Sequence, residues 1–133
     1  MNTGLFGEAI YVYSRAQAIA DGVLVDVTET AKEAGFSCPV ALTASVWSDC
    51  VAWRDEDTKR QTPQDESGRL WDVLWMARQV ASTSRQGSRV AVPLHRVPPG
   101  GYSVTPRPVV LQMSIGPGDD GEAIITIMLP DED

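Results

Sequence analysis

The apolar residues of this chain change period once, near Ser82, and that change limits the folds open to it. Upstream, Leu70, Val73, Leu74, Ala77, Val80 and Ala81 recur at the three- and four-residue spacing that lines one face of a helix. Trp71 and Trp75 stand four apart on the adjoining face. Downstream, residues 89–97, 109–115 and 123–129 are apolar, β-branched runs separated by Pro and Gly clusters, which predicts three strands. The last two are expected to pair as an antiparallel hairpin across GPGDDGE. Helices first and strands later predict an α+β domain, two main helices packed on a small antiparallel sheet with a C-terminal hairpin. The 133 residues suit one domain, 1–133, whose core can stand unaided.

The remaining elements follow from local signals. Ala9–Tyr13 reads as a short strand or an extended arm. Ser14 is an N-cap for a helix over Arg15–Asp21, closed by Gly22. Val23–Thr28 suggests a strand with Val23, Val25 and Val27 on one face. Thr30 and Glu33 have the spacing of a capping box, cut short by Gly35. Thr43 or Ser45 caps a helix through Val46, Trp47, Cys50, Val51 and Trp53. From Arg54 to Gly68 the sequence is polar and charged and contains Pro63, so it is expected to be a long solvated connection.

Eighteen acidic against eleven basic residues give a net charge of −7. Such a field repels phosphate backbones and anionic lipid, so neither direct nucleic-acid binding nor membrane association is expected. No apolar stretch is long enough to span a bilayer, and residues 1–17 lack the basic and apolar regions of a signal peptide, so the expected location is the cytoplasm. Cys38 and Cys50 then read as small, reduced, buried thiols.

Few residue constellations suggest catalysis. Gly116, Gly118 and Gly121 satisfy GxGxxG, but a strand follows rather than a helix, so the segment reads as a turn. His95 is the chain's one histidine and falls in a predicted strand. No cofactor is expected. The four tryptophans read as core, with the proviso that one exposed beside acidic residues would anchor a protein interface. Carboxylates concentrate at Asp55, Glu56, Asp57, Asp65 and Glu66 in the polar connection, and at Asp119, Asp120 and Glu122 in the hairpin turn. None has the EF-hand spacing. Gathered on one exposed face, they would present fixed negative charge to a basic cleft and occupy the place of nucleic-acid phosphates.

The strings YSRAQAIADGVLVDVT at 13–28, QDESGRLWDVLWMA at 64–77 and GPGDDGEAIITIMLPDED at 116–133 resemble a family of small uncharacterised proteins encoded on bacterial plasmids, phages and other mobile elements. The resemblance implies a setting, since accessory genes of such elements often inhibit host defence and anti-CRISPR proteins are commonly small and acidic. The expectation is a non-enzymatic inhibitor that binds a basic nucleic-acid-binding protein or Cas complex through those eight carboxylates. Two other readings stay open: a metal-dependent hydrolase using aspartates and His95, and a homodimeric interaction protein that adds strands through its C-terminal hairpin.

Overall fold

Ser14 and Gly22 bracket the first element of the computed structural model, which describes residues 13–82 and 89–132. The Ser14 side chain accepts from Gln17 N, and the Gln17 side chain reaches back to Ser14 N, so the two cap helix α1 (Arg15–Ala20) reciprocally. Gly22 takes φ +79°, which lets the chain reverse into β1 (Leu24–Asp26). The expected strand or arm over Ala9–Tyr13 lies, apart from Tyr13, outside the described residues.

Three expectations for the middle of the chain are corrected. Helix α2 runs Thr28–Glu33, so Thr30 lies inside it and does not cap it; Asp26 instead accepts from Thr28 N just ahead of the helix. The apolar stretch after Pro39 is first a strand, β2 (Val40–Thr43), and only then α3 (Ala44–Val46), with Thr43 accepting from Val46 N as its cap. The helix continues as a π-helical turn over Trp47–Val51, with Ala52 N donating to Trp47 O, so Trp53 lies beyond it. Within the supposed connection, Asp55–Arg60 forms α4. Asp55, Glu56 and Asp57 in its first turn and Lys59 and Arg60 in its last suit the helix dipole, which compensates for the missing apolar period.

The helix expected after Arg69 is α5 (Glu66–Ala81), capped by Asp65, which accepts from Gly68 N. Strands β3 (Arg89–Arg96), β4 (Arg107–Pro117) and β5 (Ala123–Met128) follow. β4 and β5 form the expected hairpin, pairing Ile115 with Ile125 and Pro117 with Ala123.

Among the described residues the sheet has five strands in the order β1-β2-β5-β4-β3. It is mixed rather than wholly antiparallel: β2 runs parallel to β5, with Val40 opposite Ile125. One face carries Val40, Leu42, Val92, Leu94, Leu111, Met113, Ile125 and Ile127, and these pack against Leu70, Val73, Leu74 and Ala77 of α5. Each such buried aliphatic side chain contributes about 2 kcal/mol relative to exposure in water. On the other face α1 covers the β5 region: Arg15 donates to Thr126 Oγ1 and Ile125 O, and Ala18 is buried.

Candidate functional site

Strand register divides the molecule into two ends. β4 carries the chain from Arg107, opposite Arg96, to Pro117, opposite Ala123. At strand rise those ends lie about 30 Å apart. The hairpin turn occupies one of them. The loop from Val97 to Pro106, which joins β3 to β4, occupies the other, and α4 packs beside it. The eight expected carboxylates are therefore divided, and no single face unites them.

At the loop end, Asp57 is only 1% exposed, which corrects its expected place on a binding surface. Its carboxylate accepts from Arg54 N (3.0 Å) and Gly100 N (2.9 Å). The backbone N–H of Arg54, reinforced by that of Gly100, holds its pKa below the usual carboxylate value, against the opposing effect of burial. Asp65 is occupied as the α5 cap, and Glu66 accepts from Trp53 N at 3.4 Å. Asp55 and Glu56 are exposed. From Arg54 to Arg69, five acidic residues meet four basic ones, so this end carries little net charge.

The hairpin end is different. Asp119 accepts from Arg15 N (2.9 Å) and Ala16 N (3.1 Å), bonds that fix the turn against α1 and hold the Asp119 pKa below its ordinary value. Glu122 accepts from Asp120 N within the turn. Its carboxylate lies where a side chain on Gly118 would begin, 2.6 Å from the Cβ that any other residue would add there. Burial lowers the Arg15 pKa, and the nearby charges of Asp26, Asp119 and Glu122 oppose that effect. Glu29 stands in the first turn of α2, whose Thr28 hydroxyl accepts from Val40 N at the same end of the sheet. Asp26, Glu29, Asp119, Asp120 and Glu122 thus share this end with Arg15 and with Lys32, which pairs with Glu29 at 3.7 Å. Three of the five were expected. Asp26 and Glu29 were not, because only the parallel β2–β5 pairing brings β1 and α2 toward the turn.

A cleft of about 170 Å³ near the end of β3 is lined by Cys50, Arg69, Asp72, His95 and Arg96, among others. Its chemistry is committed to structure. Burial, with Asp49 adding to it, pushes the Cys50 thiol up to about 12, so at neutral pH it remains protonated. Arg96 pairs with Asp49 at 2.9 Å. Arg69, 4% exposed, donates to Val51 O, Gln64 Oε1, Val97 O and Asp49 O and stacks on Trp53. His95 lies exposed on β3. Among the described residues no three His, Cys, Asp or Glu side chains come together to hold a metal ion.

Two further readings are corrected. Trp53 is buried and Trp47 packs on the core, but Trp71 and Trp75 are exposed, stacked 6.2 Å apart on the outside of α5 with Asp72 between them in sequence. β4 and β5 both lie inside the sheet, so the C-terminal hairpin has no free edge to offer a second copy. Among the described residues the sheet's outer strands are β3 and β1. No helix among the described residues is long and apolar enough to cross a membrane.

No curated protein and no solved structure matches the chain. Over residues 1–133 it matches the model of a family of unknown function (DUF6573), and it belongs to that family.

Proposed function

We propose that this family member is a non-enzymatic protein-binding domain of the cytoplasm. It docks its hairpin end into a basic, nucleic-acid-binding cleft of a bacterial defence protein, a nuclease or a CRISPR surveillance complex, and inhibits it. The observation that carries this reading is the set of three carboxylates, Asp26, Asp119 and Glu122, whose charges act on the partly buried guanidinium of Arg15, with Asp120 beside them in the turn and Glu29 at the same end of the sheet. The charges of Asp26, Asp119 and Glu122 are fixed by backbone hydrogen bonds and need little reordering on binding, so they can hold register in a cationic cleft, while exposed Glu29 and Asp120 add to the field that steers encounter. The net charge of −7 adds a long-range field of the same sign.

The test is protection of a phage in a host whose CRISPR or restriction system targets it. Expression of the chain is expected to raise the phage's plating efficiency. Glu29→Lys with Asp120→Lys is expected to abolish the effect, since neither carboxylate caps a backbone N–H among the described residues and the fold should persist. No rise with the wild-type chain, or an equal rise with the folded double variant, would overturn the proposal.

A further inference from the structure

At the end of the sheet away from the acidic turn, the Val97–Pro106 loop combines two properties that usually exclude one another. It projects large apolar groups into water, with Tyr102 77% and Val104 58% exposed. It is also held at several points by buried polar groups. Gln61 of the α4 C-terminus, 9% exposed, donates from Nε2 to both Pro98 O (2.8 Å) and Ser103 O (2.6 Å). Asp57 accepts from Gly100 N (2.9 Å). Thr105 N donates to Ser103 Oγ, and Pro98, Pro99 and Pro106 fix φ along the segment. The arrangement is costly, because Asp57 is a buried carboxylate and the Oε1 of Gln61 is buried with no hydrogen-bond partner among the described residues. Val97 anchors the loop in the core, but the two polar side chains buried beyond it fix a segment whose Tyr102 and Val104 point into solvent.

We propose that this loop is a preformed docking element whose Tyr102 ring and Val104 side chain enter an apolar pocket on a partner protein. Rigid aromatic groups held ready for contact dominate binding energy, because little conformational freedom remains to be lost on association. The Arg60 guanidinium lies over the Tyr102 ring at 5.5 Å and keeps its face oriented. Arg54 lines the shallow groove beside Pro99 and Gly100. The pocket that fits is therefore apolar at its floor, with carboxylate or carbonyl acceptors at its rim. A protein is favoured over a nucleic acid because Asp55 and Glu56 stand exposed on the same helix and the chain as a whole carries −7. The inference does not depend on the charge of the hairpin end.

The experiment places p-benzoyl-phenylalanine at Val104, in the full chain expressed in bacterial cells, and irradiates the cells. Val23, 50% exposed on the β1 side, carries the same group as the control. A discrete protein adduct is expected from position 104 and none of the same mass from position 23. Adding Tyr102→Ala is expected to lower the yield by about tenfold or more, a loss of about 1.4 kcal/mol in binding or greater, with the thermal midpoint unchanged. No adduct, the same adduct from both positions, an adduct that survives Tyr102→Ala, or one made of nucleic acid would each overturn the proposal.

Discussion

Arg69 holds together three parts of the chain that are distant in sequence. Its guanidinium reaches the π-helical turn through Val51 O and Asp49 O, the start of α5 through Gln64, and the end of β3 through Val97 O. A planar fork with several fixed donors can satisfy such dispersed acceptors, and a lysine ammonium cannot. Truncation to Ala would leave buried carbonyls unpaired and an empty space against Trp53. Arg69→Ala is expected to cost about 3–5 kcal/mol in urea unfolding, and Arg69→Lys to recover less than half of that. A loss under about 1 kcal/mol for the Ala variant would contradict this assignment. The sequence held a sign of Arg69's burial: it precedes Val73 and Ala77 at four-residue steps, on the row that enters the core. Its charge hid that sign, whereas the burial of Cys50 was legible from its apolar neighbours.

Helix α4 and the Val97–Pro106 loop form a single unit joined through Asp57 and Gln61. The unit is sensitive to pH in a direction that can be worked out. The folded-state pKa of Asp57 is depressed, so its contribution is present above the unfolded value of about 3.9 and is lost as pH falls through the lower folded value. The stability difference between wild type and Asp57→Asn is therefore expected to be constant near neutrality and to shrink below about pH 4. Unfolding curves for the two proteins from pH 7 to pH 3 would measure it, and a difference that grows on acidification would contradict the assignment. α4 escaped sequence reading because its one buried side chain is a carboxylate, so no apolar period marks it. β2 escaped because four residues running directly into a helix look like the start of that helix. The β4–β5 hairpin and α5 were legible because their periods are long and bounded by Gly, Pro and capping residues.

Over the whole molecule, the α+β architecture was readable from the order of the hydrophobic periods. The gathering of charge was not. Eight carboxylates chosen by local density were divided between two ends by a β4 strand of eleven residues, and the larger cluster in sequence is the one that Arg54, Lys59, Arg60 and Arg69 nearly neutralise. The more acidic end was assembled by a parallel pairing between β2 and β5, a long-range event with no local signature. The molecule therefore has two unlike ends, one charged and set against α1, the other apolar at its tip and pinned by α4. The direct test is the affinity of the purified chain for the nuclease or surveillance complex that it is proposed to inhibit, titrated across ionic strength. Affinity should fall steeply as salt rises and should drop at least as far in the Glu29→Lys, Asp120→Lys chain, while Asp55→Lys with Glu56→Lys has a much smaller effect. Binding that ignores salt and survives reversal at the hairpin end would contradict the account.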